Sequence, residues 1–289
     1  MPTLTLALFQ ARPAFRSADE ALADLDTALT RAAAAGADML VTPELYFSGY
    51  GSADAVRAAA QVQGSSSLRA AGELAARYGV GLVLGYPEKD GCAFYNSAAV
   101  FDRGGHQISN YRKVALPNDF ERTCFTPGTG PVAFDFEGIR CSVLICYDIE
   151  FPELARRSAL LGTELLLVPT ALRVRWRFVS DSIVPSRAYE NAMFIGYCDF
   201  ATDESNPEFS GTSSICAPDG QHLGRAVGPE DLVLATIDTD AIHLRKSDFD
   251  FLQDLKRFDL ATPPAPQVAT TSNTARDADQ TCPPNGQAR

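Results

Sequence analysis

Cys146 closes an apolar run, Ser142-Val143-Leu144-Ile145, and is followed at once by Tyr147-Asp148-Ile149-Glu150-Phe151-Pro152-Glu153. Such a run reads as a buried strand, and Pro152-Glu153 ahead of Leu154 reads as a helix start, which puts the sulfur on a tight strand-to-helix connection. A lone cysteine in a chain of this kind is ordinarily a core thiol. This one has company. Glu44 follows the strand signal Leu40-Val41-Thr42-Pro43, Lys113 follows Ser109-Asn110-Tyr111-Arg112, and Glu121 lies in Asn118-Asp119-Phe120 ahead of Phe125-Thr126-Pro127-Gly128. A carboxylate, an ammonium and a thiol meeting in one cleft make a consistent hydrolytic set, in which the thiolate attacks and a nearby cation favours it. Carboxylates would then move the protons. The three histidines, His106, His222 and His243, are scattered, and none lies near a recognisable nucleophile.

The elements that must position these groups alternate. Thr3 to Gln10 reads as a strand, and Ser17 with Glu20 forms a capping-box signature ahead of Leu22, Leu25 and Leu29, one apolar helical face. Gly36 is placed to end that helix, Met39 to Val41 gives the next strand, and Ser66 to Tyr78 predicts a second helix before the strand Val80 to Gly85. The middle reads as a meander: strands at Phe94 to Asp102, Gln107 to Tyr111 and Val132 to Phe136, then the strand that carries Cys146. A helix to Leu161, a strand over 164–168, a helix near Ser180 to Asn191 and strands at 193–199, 211–216 and 232–237 complete the pattern. Strand–helix units in both halves with a meander between them predict two sheets packed face to face with helices outside, in one α/β domain over residues 1–261. From Pro263 onward almost nothing apolar remains to bury, so residues 262–289, with Cys282, read as a disordered tail.

Composition narrows the field. The 289 residues are 46% hydrophobic and 21% charged, a globular balance. The net charge of −11 argues against nucleic acid or an anionic membrane surface as partner, since both need clustered positive charge. No apolar stretch approaches the roughly 18 residues that a membrane helix needs. Seven cysteines at irregular spacing, without a Cys-x-x-Cys pair, predict neither a disulfide framework nor a zinc site, and a reducing cytoplasm is the expected location.

Pro43-Glu44, Tyr111-Arg112-Lys113 and Cys146-Tyr147-Asp148 with Phe151-Pro152-Glu153 resemble, in order, the three signature segments of the nitrilase (carbon–nitrogen hydrolase) superfamily. Gly85-Tyr86-Pro87-Glu88, Tyr95-Asn96-Ser97, Val168-Pro169-Thr170-Ala171 and Arg187 to Asn191 fit as supporting segments, and the likeness runs from about residue 4 to about residue 260. The resemblance implies a four-layer αββα sandwich, paired into a homodimer or larger homo-oligomer, and no cofactor or metal. It implies a triad of Glu44 as general base, Lys113 as oxyanion donor together with the Tyr147 N–H, and Cys146 as the nucleophile that forms a thioester. The family's second glutamate falls on Glu121, with Asp119 as the alternative.

Cys146-Tyr147-Asp148 is similar to the amidase and carbamoyl-amide branches more than to nitrilases, and the whole segment looks most like amidases of short aliphatic amides, ω-amino amides such as that of 5-aminopentanamidase among them. An ω-amino or ω-guanidino primary amide is therefore an expected substrate, with N-carbamoyl compounds, nitriles and acyl transfer as alternatives. Two features complicate the acyl group. Ala115 stands where many relatives carry histidine, and Arg173, Arg175 and Arg177 around Trp176 follow a strand end that forms a pocket wall in the family. Arg173 with Trp176 would suit a carboxylate or an aromatic group, and inward arginines would favour a dicarboxylic half-amide.

Overall fold

The structure, a computed structural model, describes residues 2–258 apart from 203 and 205. The expected tail over 262–289 lies outside the described residues. Among the described residues there are twelve strands: β1 (Thr3–Gln10), β2 (Met39–Val41), β3 (Gly81–Asp90), β4 (Ala93–Phe101), β5 (Gln107–Arg112), β6 (Ala133–Phe136), β7 (Ile139–Val143), β8 (Leu165–Pro169), β9 (Phe194–Cys198), β10 (Ser214–Cys216), β11 (His222–Arg225) and β12 (Asp231–Asp238). The helices are α1 (Ala18–Ala34), α2 (Ala53–Ala59), α3 (Ser66–Tyr78), α4 (Asp119–Cys124), α5 (Pro152–Leu160), α6 (Val184–Asn191), α7 (Asp240–Asp248) and α8 (Phe251–Leu255).

The strands form two six-stranded sheets, in the orders β12-β1-β2-β3-β4-β5 and β11-β10-β9-β8-β7-β6. Each has a parallel centre, β1-β2-β3 and β7-β8-β9, flanked by antiparallel strands. Along β1 the period of two sorts the side chains: Leu4, Leu6 and Leu8 enter the core shared with Val143, Leu167 and Ile195 of the second sheet, while Ala7 and Phe9 face Leu25, Leu29 and Leu68 of α1 and α3. On the far side, Ala155 and Ala159 of α5 and Val184 and Ala188 of α6 join the core of the second sheet. The result is the αββα sandwich that the sequence predicts. The sheets approach so closely at Gly196 that a Cβ there would stand 2.7 Å from the Leu6 side chain.

The capping box at the start of α1 forms as expected: Glu20 N–H donates to Ser17 Oγ at 3.3 Å and Ser17 N–H to Glu20 Oε2 at 2.8 Å. Other expectations need correction. The strand expected to reach Cys146 ends at Val143, and the helix expected from Ser180 opens with a wide π-type turn over Val179–Ile183 before α6. Helices α2, α4, α7 and α8 are all short, and so lack the repeated apolar period that reveals a helix in a sequence. Among the described residues no helix is long and apolar enough to cross a membrane.

Candidate active site

Glu44 stands on the turn that follows β2. Thr42 pins that turn to β3, its hydroxyl donating to the Val83 carbonyl at 3.2 Å and accepting from Gly85 N–H at 3.0 Å. Gly85 must be glycine, because a Cβ there would lie 2.1 Å from the Pro43 carbonyl. Glu44 N–H donates to the Thr170 carbonyl, at the end of β8, at 3.3 Å, so the turn is fixed to both sheets. The side chain is fully buried, and Asn96 Nδ2 on β4 donates to Glu44 Oε1 at 2.7 Å.

Lys113 leaves the end of β5, its N–H bonded to the Asn96 carbonyl at 2.8 Å. Its ammonium donates to Glu44 Oε1 at 2.6 Å and stands 2.8 Å from the Glu121 carboxylate, with all three side chains sealed from solvent. Glu121 sits in the first turn of α4, whose start Asn118 caps by accepting from Glu121 N–H at 2.9 Å. The Tyr50 hydroxyl donates to Glu121 Oε1 at 2.7 Å and accepts from Asn118 Nδ2 at 2.8 Å. Asp119 points into solvent beside Arg122, so of the two candidates only Glu121 reaches the lysine.

Cys146 opens a single 3-10 turn over Cys146–Glu150 and carries a left-handed backbone, φ 48°, rare for a residue with a Cβ. A regular strand would turn alternate side chains aside; this kink re-aims the sulfur instead. What holds the kink is Asp148. Its buried carboxylate accepts from Ile145 N–H at 3.1 Å, Ala115 N–H at 2.7 Å, Val114 N–H at 3.2 Å and the Tyr111 hydroxyl at 2.8 Å.

Two carboxylates surround one ammonium, and the charges respond. Burial pushes the Glu44 carboxyl up to about 7, with Lys113 pulling it down and Glu121 adding to the rise. Burial alone would lower the Lys113 pKa, but the Glu44 and Glu121 charges outweigh it and hold it well above the usual lysine value. Burial and the Glu44 charge push the Cys146 thiol well above its ordinary range, and Lys113, Thr170 and Ala171 offset only part of this. Lys113 does favour the thiolate, as the sequence suggests, but burial and the Glu44 charge outweigh it, and the resting sulfur keeps its proton.

Two carboxylate oxygens of the cluster lack a hydrogen bond: Glu121 Oε2, which still lies 2.8 Å from the Lys113 ammonium, and Glu44 Oε2. Glu44 Oε2 is buried and finds no hydrogen-bond partner among the described residues, although Oε1 has two. The arrangement provides a proton acceptor held close to ionisation, a fixed positive charge, and a thiol at the floor of a cavity of about 850 Å³.

Tyr147, Arg173 and Trp176 all line that cavity, and so does Arg175. Arg177 turns away to Asp181 at 3.3 Å. Arg173 is not free to receive a carboxylate: it pairs with Glu208 at 3.1 Å and lies over the Phe209 ring at 4.5 Å. Asn96, Tyr50, Asn118 and Glu150 escaped the sequence reading as site residues. Asn96 had a signal in Tyr95-Asn96-Ser97, and Asp148 one in Cys146-Tyr147-Asp148; Tyr50 had none, because its partners Asn118 and Glu121 are distant in the chain. Among the described residues no group of three or more His, Cys, Asp or Glu stands together in a way that could hold a metal ion.

Comparison with known proteins bears on this geometry. The carbon–nitrogen hydrolase family model matches residues 5–246. A protein of Pseudomonas protegens described as a hydrolase in the pqqF 5' region is 39% identical over 209 residues, 71% of this chain and 73% of the relative. An (R)-stereoselective amidase from Pseudomonas sp. is 32% identical over 220 residues, 75% of this chain and 79% of the relative. Among solved structures, an amidase from Nesterenkonia sp. in complex with butyramide superposes with a TM-score of 0.73 at 30% identity, covering 85% of this chain and 95% of that one. Another structure of the same amidase carries the acetamide moiety of fluoroacetamide bonded to its active-site cysteine.

Proposed function

This chain belongs to the carbon–nitrogen hydrolase family, and on that footing we propose that it hydrolyses a short aliphatic primary amide to the carboxylic acid and ammonia through a Cys146 thioester. The observation that carries the reading is the division of labour in one carboxylate: Oε1 of Glu44 is held by Lys113 and Asn96, and Oε2 is buried without a partner. A general base needs that combination of fixed position and open acceptor.

In the first half-reaction the Cys146 sulfur attacks the amide carbon as its proton passes to Glu44 Oε2. The carbonyl oxygen becomes an oxyanion, met by the Lys113 ammonium and the Tyr147 N–H. The tetrahedral adduct collapses as Glu44 returns the proton to nitrogen, the C–N bond breaks, and ammonia leaves. Water then attacks the thioester, giving its proton to Glu44; the C–S bond breaks, the thiol recovers that proton, and the acid departs. A thiol protonated at rest suits this sequence, since proton loss and attack coincide at the substrate.

The reading includes a cytoplasmic enzyme that assembles with copies of itself. In support, Leu160, Leu161, Tyr189 and Phe251 are exposed on and beside α5, α6 and α8, large apolar side chains of the kind that subunit contacts bury.

The test is ammonia release from a panel of short primary amides, with matched nitriles, by the intact protein and by Cys146→Ala. Release from amides that vanishes in the variant, with an acyl adduct on Cys146 seen by mass spectrometry, is the expected result. Turnover of nitriles with inert amides, or ammonia release by Cys146→Ala, would overturn it.

A further inference from the structure

The acyl end of the substrate is addressed by a residue that the hydrolytic chemistry does not use. Glu150 ends the 3-10 turn that Cys146 begins, and both residues line the same cavity. At about 2.0 Å rise per residue, the two backbones are separated by roughly 8 Å along the turn. The Glu150 carboxylate is half-buried and, among the described residues, no Lys, Arg or His forms an ion pair with it. Arg187, which reaches this turn, spends its donors on the Ile149 and Glu150 carbonyls and on Glu190.

Of the other charges around the cavity, Arg173, Glu208 and Lys113 are paired, while Arg175, which also lines it, has no carboxylate partner among the described residues. Arg173 and Glu208 neutralise each other at 3.1 Å. Arg175 is exposed and lies over the Trp176 ring at 5.2 Å. Lys113 belongs to Glu44 and Glu121. Four aromatic residues, Tyr50, Phe120, Tyr147 and Trp176, also line the cavity. One unpaired carboxylate among aromatic rings is a receptor for a cation, which gains from the charge and from the ring faces together.

We propose that this cavity selects amides whose acyl chain ends in an amine or guanidinium, and that Glu150 is the specificity-determining residue that reads the charge. The proposal rests on the amide-hydrolase reading above and assigns its substrate class. It also departs from the expectation drawn from the arginine-rich segment: of its two members that line the cavity, Arg173 is paired with Glu208 and Arg175 is exposed over the Trp176 ring. Burial raises the Glu150 carboxyl above its usual value, only partly opposed by Lys113; a substrate cation would supply the missing counter-charge.

The test uses three amides of similar length: 5-aminopentanamide, hexanamide and the half-amide of glutaric acid. The intact enzyme is expected to prefer the cationic amide by at least tenfold in kcat/KM over the neutral one. Glu150→Gln should cut that ratio about tenfold or more, mainly through KM, and Glu150→Arg should move the preference to the anionic amide. Equal turnover of cationic and neutral amides by the intact enzyme, or equal losses on all three in Glu150→Gln, would sink the proposal. Calorimetric binding of the cationic and neutral amides to Cys146→Ala separates the two claims. Tighter binding of the cation with no turnover by the intact enzyme would refute hydrolysis and support the charge reading. Turnover without preferential binding would do the reverse.

Discussion

The Tyr111 hydroxyl donates to Asp148 Oδ2 at 2.8 Å, and each residue stands two places from a reacting group, Tyr111 before Lys113 and Asp148 after Cys146. The same carboxylate accepts N–H groups from Ile145 on the cysteine side and from Val114 and Ala115 on the lysine side. One buried anion thus sets the distance between the thiol and the ammonium without touching either.

Asp148→Ala should therefore damage stability and rate together. Four donors lose their acceptor in a buried site, where each orphaned group costs about 1–3 kcal/mol. Thermal unfolding and kcat measured on the same preparation check this, and Tyr111→Phe, which removes one of the four, should show a much smaller loss of both. A Tyr111→Phe effect as large as that of Asp148→Ala would mean that the carboxylate does not act as the joint.

Lys113→Met should lower kcat by about 10²–10³, the usual cost of a lost oxyanion donor. It should also destabilise the fold, because Glu44 and Glu121 would face each other with no cation between them. Lys113→Arg is expected to rescue little, since a planar guanidinium cannot occupy a site closed at 2.6 Å and 2.8 Å. Rates of the three enzymes at saturating amide decide the point.

The pH profile follows from Glu44. A base must be ionised to accept a proton, so kcat/KM should fall on the acid side with a midpoint near the value of about 7 to which burial pushes this carboxyl. The thiol contributes no rise in that range, because its own pKa lies well above the usual value of 9.0. Modification of Cys146 by a small neutral methanethiosulfonate should accordingly be slow at neutral pH and climb only in alkali. A midpoint below 9 would contradict the protonated resting thiol.

Glu88 supplies a stability test away from the chemistry. Burial alone would raise its pKa, but Arg112, Gln63, Ser97 and Asn110 outweigh this and hold it at about 2. A carboxyl lowered in the folded state stabilises above its unfolded value of 4.5, and that contribution is lost as pH falls through 2. Glu88→Gln should thus be less stable than the parent at pH 7, with the gap shrinking between pH 4.5 and pH 2 in urea unfolding.

Gly85→Ala tests the turn beneath the base. Its Cβ would collide with the Pro43 carbonyl at 2.1 Å, a backbone atom with no room to retreat, so Glu44 must move. The expected result is a folded protein with kcat reduced at least tenfold; normal kcat would mean that the turn tolerates displacement.

Much of this site was legible because its members close regular elements. Glu44 and Lys113 follow strands whose apolar pattern is visible in the sequence, and Cys146 precedes a helix announced by Pro152. Glu121 had a weaker signal, since α4 has six residues and no period to betray it. The electrostatics could not be read: the state of the thiol depends first on its burial and then on the Glu44 charge, 102 residues away in the chain, and the Lys113 charge is held by Glu44 and Glu121, 69 and 8 residues away. Arg173 misled for the same reason, since Glu208, its partner, lies on a distant loop. The positive φ at Cys146 was likewise hidden, because nothing but a fold-imposed turn puts a non-glycine there.

Glu44 hangs from one sheet, Cys146 from the other, and bonds such as Glu44 N–H to the Thr170 carbonyl and Tyr111 to Asp148 span them. Neither half of the chain carries a usable nucleophile by itself. During refolding, turnover should therefore reappear only in the phase that docks the two sheets, after secondary structure has already returned. A nascent or proteolysed half would release no acyl chemistry, and activity is a direct clock for the last step of assembly.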